Sequence, residues 1–147
     1  MNFKFLSGAT SKGCMALLTA SACILAFSTP IRAELPPSVY EELQKDAPEV
    51  LEIEVATVAL NSRDGEDLRT ISVFATAVVK KVSRSRSGTK VGDQISLRYL
   101  TFEVIKPGWV GPSAIAEVQK GKKYRVWLKK SGAHFYEAAR GWTVQAL

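Results

Sequence analysis

From Val50 to Val82 the chain alternates apolar with other residues at a period of two, broken once by a polar segment. Leu51, Ile53 and Val55 alternate with Glu52 and Glu54; Ile71, Val73, Ala75, Ala77 and Val79 share one phase of the next run. A period of two places each set on one face of an extended chain, so this stretch predicts two long strands and argues against a helical fold. The phase switches near Ala56–Val58, which predicts a β-bulge there. Asn61-Ser62-Arg63-Asp64-Gly65-Glu66 reads as the turn between the strands. Phe74, Val78 and Val82 make the second face of Leu68–Val82 apolar too, which predicts a strand buried on two sides or strongly coiled.

Three further segments keep the same period. Gln94–Phe102 alternates Ile95, Leu97 and Tyr99 with Ser96 and Arg98, and Lys123–Lys130 places Tyr124, Val126 and Leu128 inward. His134–Ala139, Arg140-Gly141 and Trp142–Gln145 read as a last hairpin with Trp142 in the core. The loops between them are Ser83–Lys90, Lys106–Pro112 around Trp109, and Ser113–Gln119, which fits a helical turn or an irregular segment. Ahead of the strands, residues 34–49 predict a short helix: Ser38 and Glu41 have capping-box spacing, and Pro48 ends it. Such a helix is marginal alone, so it should lie on the following domain through Val39, Tyr40 and Leu43. The expected fold is mainly β: a small antiparallel OB-like barrel of five or six strands over residues 50–147, with that short N-terminal helix. Closure removes exposed strand edges.

Residues 1–33 differ in kind. Lys4 and Lys12 precede the uncharged apolar run Cys14–Phe27, and Ser28–Ala33 follows with Pro30 and a small final residue. This is the three-part pattern of a secretory signal, too short to span a bilayer comfortably, with cleavage expected after Ala33. The Leu usual three positions before a lipidated Cys is missing ahead of Cys23, so a lipid anchor is not expected. The expected location is periplasmic or secreted, with no stable transmembrane segment once the signal is removed. Both cysteines fall in this leader, so residues 34–147 have no disulfide framework and no Cys-based metal site. With His134 as the lone histidine, neither a metal nor a cofactor is expected.

Two segments carry a resemblance. Val79-Val-Lys-Lys-Val, a polar loop and Lys90-Val-Gly-Asp-Gln-Ile-Ser-Leu-Arg-Tyr99 form the first, and Val118-Gln-Lys-Gly-Lys-Lys-Tyr-Arg-Val-Trp-Leu128 the second. Together they resemble the netrin/TIMP-like branch of the OB fold, which implies a secreted β-barrel module that binds something. Tissue inhibitors of metalloproteases chelate zinc through an N-terminal Cys. The expected mature chain begins Glu34-Leu35-Pro36 without one, so that mechanism does not carry over.

Catalytic signatures are weak. No Gly-x-Ser-x-Gly elbow accompanies His134, and Gly121-Lys122-Lys123 lacks the phosphate-loop pattern. Glu52 and Glu54 share a strand face about 7 Å apart, near glycosidase carboxylate spacing, but alternating Glu is more often a solvated face. The candidate binding residues are Lys123, Arg125, Trp127 and Lys129, which share one strand face, with Arg84, Arg86 and Lys90 from a neighbouring loop. A basic stripe interrupted by an aromatic suits a polyanion groove. The competing reading is an outward face whose lysines block edge pairing while Trp127 packs under the N-terminal helix. Trp109, in a Gly/Pro-rich loop, is a second candidate, as a ligand platform or as a plug of the barrel end.

Charge is segregated. Residues 34–67 carry ten acids and two bases, while 68–147 carry fifteen bases and four acids, leaving +3 overall for 34–147. Near cancellation points to mutual satisfaction within the domain rather than to a bare positive surface. The expected function is an exported non-catalytic β-barrel module that binds a protein or an anionic polysaccharide of the envelope. The alternative is an inhibitor or regulator of an exported enzyme. Nucleic acid is not an expected partner, because of the leader.

Overall fold

The inward phase of the long second strand, Ile71, Val73, Ala75, Ala77 and Val79, is buried along its whole length and forms one wall of the main core. The computed structural model describes residues 34–108 and 111–147. In chain order these form α1 (Pro37–Asp46), β1 (Glu49–Asp64), β2 (Leu68–Ser85), β3 (Gln94–Val104), β4 (Lys123–Ser131), β5 (His134–Glu137), a 3-10 turn (Arg140–Trp142) and β6 (Val144–Ala146). Leu51, Ile53 and Val55 of β1, Ile95, Leu97 and Tyr99 of β3, and Tyr124, Val126 and Leu128 of β4 point into the same core. Glycines at positive φ, Gly92 (92°) and Gly121 (77°), shape the turns that lead into β3 and β4.

The ring runs β1-β2-β3-β5-β4 and closes because β1 also pairs with β4, Glu49 to Leu128 through Glu54 to Lys123; β6 is an extra strand beside β4. This is the small OB-like barrel expected, with one correction. One pair in the ring, β3 with β5, is parallel and joined at Leu97–Phe135. A closed ring of five strands cannot be antiparallel at every junction, so one parallel pair is obligatory. β5 and β6 also do not form the expected hairpin. Both pair with β4, β5 along Leu128–Ser131 and β6 along Tyr124–Val126. Between them the chain wraps Trp127, whose N–H donates to Thr143 O (3.0 Å) and whose carbonyl accepts from Ala138 N–H (3.1 Å).

Other elements depart from the alternation in instructive ways. The register shift between Val55 and Thr57 is the expected bulge. The segment Asn61–Asp64 is strand rather than turn: β1 continues to pair with β2 as far as Asp64–Arg69. Its residues are polar because this arm extends beyond the core and is exposed. β2 is buried on one face, not two, since Phe74 on the other face is 42% exposed.

Helix α1 begins differently from the capping-box expectation. Its N-cap is Pro36 with no side-chain cap, because the Pro36-Pro37 pair sets an extended residue followed by a preformed first turn, which places Ser38 inside the helix. The helix buries Tyr40, and a second cluster of Ala47, Val50, Trp127 and Ala139, with Leu43 against it, lies beneath it. Ser113–Gln119 has no regular secondary structure. It is a strap across the barrel, with Ile115 and Val118 in the core. Tyr99 Oη donates to Ala116 O (3.0 Å) and accepts from Val118 N–H (3.1 Å), Thr101 Oγ1 donates to Ile115 O (2.5 Å), and Tyr124 Oη accepts from Gln119 N–H (3.0 Å).

Candidate functional site

β4 carries Lys123, Arg125, Trp127 and Lys129 on one face, but their surroundings differ. Trp127 is only 9% exposed and packs with Ala47, Val50 and Ala139 under α1, so its ring offers no stacking surface. Arg125 Nη2 donates to Glu52 Oε1 at 2.8 Å, and Lys81 Nζ approaches the same oxygen at 3.3 Å. A cation-anion-cation row therefore crosses β4, β1 and β2. The Arg125 hydrogen bond, opposed by partial desolvation and reinforced by Lys81, holds the Glu52 carboxyl below its ordinary range. One row on, Glu54 binds Lys80 at 3.1 Å and lies opposite Lys123 in the β1–β4 register. Lys129 is exposed.

The remaining candidates are dispersed. Arg84 donates through Nη1 to Ala47 O (2.8 Å) and to Lys45 O, so its guanidinium closes the C-terminal carbonyls of α1. Arg86 contributes its backbone: its N–H (3.0 Å) and that of Ser87 (2.8 Å) donate to Oε1 of Glu49, a carboxylate 1% exposed. Lys90 is exposed, with its N–H on Asp93 Oδ2 at 2.8 Å. Trp109 lies outside the described residues, as do the leader, its cleavage point and Cys23. Trp142, expected in the core, is 38% exposed and stacks on Tyr40. His134 is partly exposed, with its Nδ1 buried and without a hydrogen-bond partner.

Charge segregation resolves in part into contacts. Glu52, Glu54, Asp64, Glu66 and Asp67 each pair with a base from the later part of the chain: Arg125 and Lys81, Lys80, Arg69, and Lys106 for the last two. Among the described residues, no group of His, Cys, Asp and Glu is arranged to hold a metal ion, and no helix is long and apolar enough to cross a membrane.

A different surface stands out. The β2–β3 register sets Phe74 opposite Arg98, Ser72 opposite Leu100, Thr70 opposite Phe102 and Leu68 opposite Val104, all in the phase that faces away from the core. Leu100 is 60% exposed, Val104 43% and Phe74 42%. Beside them β5 meets β3 at Leu97 and then diverges. The gap is a cleft of about 240 Å³ lined in part by Phe74, Arg98, Leu100, Tyr136 and Glu137. The Arg98 guanidinium lies 5.5 Å from the Phe74 ring centroid, a cation–π arrangement that keeps the ring outward. The sequence marks the β2 half of this face through Phe74, while on β3 the core phase of Ile95, Leu97 and Tyr99 draws attention away from the opposite phase. The available signal was Arg98-Tyr-Leu-Thr-Phe-Glu-Val104, where the phase opposite the core phase turns apolar.

The fold and this face together define a small OB-like β-barrel with an apolar outer wall. No family model matches the chain, and no curated protein matches it.

Proposed function

We propose that the chain is an exported, non-catalytic barrel module that binds a protein of the cell envelope through the outward face of β2 and β3. The observation that carries this reading is the exposed row Phe74, Leu100 and Val104 beside the Tyr136 cleft. Large aliphatic and aromatic side chains grouped on an outer sheet face mark protein contact surfaces, where a few such residues supply most of the affinity. The cleft has room for one apolar side chain of the partner, and Arg98, which makes no ion pair among the described residues, suits a carboxylate beside it. Polysaccharide binding draws less support, because Trp127 is packed away and Arg125 is engaged by Glu52. The leader pattern and the netrin-like turns support the exported setting.

The test is a photo-crosslinking residue at position 100, with position 91 as a control, since Val91 is 64% exposed on a distant turn. A discrete protein adduct from position 100 in the native envelope, lost on adding Phe74→Ser and missing from position 91, supports the reading. No adduct, together with heparin retention exceeding that on a matched cation exchanger and falling in Lys123→Ala, would replace it with anionic polysaccharide binding.

A further inference from the structure

The β3–β5 seam rests on the single pair Leu97–Phe135, so the barrel wall opens on both sides of it. Toward Tyr136 lies the apolar cleft described above. On the other side, a pocket of about 340 Å³ lies between the loop after β2, the first residues of β3 and the β4–β5 turn. Its polar side chains are Ser87, Thr89, Asp93, Gln94, Ser96 and Lys130, and it shares no lining residue with the Tyr136 cleft.

Both walls of this pocket are ordered. Beneath the loop, Glu49 Oε1 accepts the N–H groups of Arg86 and Ser87. Thr89 N–H donates to Ser85 Oγ (2.8 Å), and the Ser87 and Thr89 hydroxyls share a bond of 2.9 Å. Lys90 N–H donates to Asp93 Oδ2, and Val79 N–H donates to Asp93 O (2.9 Å). Opposite, Ser131 pairs directly with His134, so Gly132 and Ala133 alone make the turn, with Gly132 at φ 59°. Walls already held in place lose little freedom when a ligand enters.

The groups that line it are unspent. Gln94, Ser96 and Lys130 make no side-chain hydrogen bond or ion pair among the described residues. Lys130 Nζ is steadied 5.6 Å from the Phe135 ring centroid. Asp93 has Oδ2 engaged and keeps Oδ1 open. Asp93 and Lys130 face one pocket yet form no ion pair, so opposite charges are presented from separate walls. One ammonium, one carboxylate oxygen, an amide and several hydroxyls match a ligand with a single negative charge and several hydroxyls. A simple anion leaves Asp93, Gln94 and Ser96 unmatched, and a neutral sugar leaves Lys130 unmatched. Arg86 and Lys90, exposed on the same loop, favour the approach of an anion.

We propose that this pocket binds a sugar acid, a pyranose ring bearing one carboxylate, with Lys130 on the carboxylate and Asp93, Gln94 and Ser96 on the hydroxyls. The proposal is independent of protein contact at the β2–β3 wall. It is also separate from the β4 stripe, whose Trp127 and Arg125 are engaged.

The experiment is a titration of sodium D-glucuronate into the full chain, read by amide chemical shifts. Saturable shifts are expected at Ser87–Lys90, Gln94–Ser96 and Lys130–Ala133, with a dissociation constant of about millimolar size for so small a ligand. Lys130→Gln and Gln94→Ala should each weaken binding about fivefold or more. Lys129→Gln, in the opposite strand phase, should change it by less than about twofold. All three side chains are exposed and make no hydrogen bond, so the variants keep the fold, which the remaining amide shifts check. Methyl β-D-glucuronide distinguishes two sources of the ring. Retained binding marks a polysaccharide chain end, lost binding marks a free sugar acid, and both results support the site. Absence of saturable shifts overturns the proposal. So does equal binding of D-glucose, acetate or glycine, each of which lacks part of the match, or a loss in Lys129→Gln as large as in Lys130→Gln.

Discussion

Tyr40 of α1 and Trp142 of the 3-10 turn stack with ring centroids 5.0 Å apart and planes 13° apart, which pins the helix to the segment before β6. Gln44 Nε2 adds a bond to Trp142 O at 3.0 Å. A ten-residue helix gains little from propensity, so these contacts and the burial of Tyr40 hold it. Trp142→Ala should cost about 1–2 kcal/mol and raise amide exchange in α1, while Trp142→Phe should keep most of the stability. The Tyr40 hydroxyl is buried without a partner. Tyr40→Phe should therefore be neutral or stabilising in urea unfolding, the opposite of the usual loss at a core tyrosine.

Glu52 links three strands through one carboxylate, and its pKa direction sets a pH signature. A carboxyl held below its ordinary value adds stability that is complete above that value, near 4.5, and is lost as the pH falls through the group's own lower pKa. Glu52→Gln should lower the melting temperature modestly at neutral pH, and the gap to wild type should close in acid. High salt should narrow it as well, because Lys81 and Arg125 are substantially exposed. An unchanged gap down to strongly acidic pH would mean that the carboxylate's charge is immaterial to the barrel.

The strands were legible because burial imposes a period of two wherever one face meets the core. Val55 to Thr57 shows the same logic at finer scale, since the bulge appears in the sequence as a change of phase. Asn61–Asp64 escaped because pairing alone, without burial, leaves no period to read. The parallel β3–β5 seam rests on the single pair Leu97–Phe135 and on counting strands around a closed ring, which local pattern does not encode. Trp127 shows a different limit. Its alternation places it on the outer face of β4, and of the two sequence readings, a stacking ring or a side chain packed under the N-terminal helix, the structure shows the second; alternation alone leaves both open until the position of α1 is known. Leu100, Phe102 and Val104 were readable in principle, but apolar residues in both phases look like core until the opposite face is seen to be uncovered.

The outer wall of β2 and β3 makes a stability prediction separate from any partner. Leu100 is 60% exposed, so Leu100→Lys should change stability by no more than about 0.5 kcal/mol. It should also reduce binding of a hydrophobic dye and raise solubility, because it divides the apolar row. A large loss of stability would show that Leu100 is covered in solution, and the wall would then be an internal packing surface rather than a contact surface.

Glu49 presents a buried carboxylate whose Oε1 receives two backbone N–H groups of the loop after β2, while Oε2 has no partner. Glu49→Ala removes the side-chain acceptor of both amides and leaves Arg86 N–H its bond to Pro48 O at 3.1 Å. It should cost about 1–3 kcal/mol and free the loop around Gly88 to exchange faster. Glu49→Gln keeps an acceptor oxygen for both amides, so it should retain most of the stability. Equal losses for the two variants would mean that the charge, rather than the acceptor, holds the loop.

Tyr99 ties the strap to the barrel with one hydroxyl that both donates and accepts, and burial pushes its pKa up to about 12, against a smaller lowering by the Val118 N–H. Tyr99→Phe leaves the Val118 N–H and the Ala116 carbonyl without this partner, at a cost of about 1–3 kcal/mol. Residues 113–119 should then become more susceptible to proteolysis while the strands stay protected, because Ile115 and Val118 still favour the core. The alkaline behaviour follows from the sign of the shift. A group whose folded pKa is raised adds stability that is complete below its unfolded value, near 10, and is lost as the pH rises toward 12. The stability gap between wild type and Tyr99→Phe should therefore be widest at neutral pH and should narrow steadily above pH 10 in urea titrations. A gap that stays constant across that range would show that the hydroxyl does not hold the strap as a neutral donor.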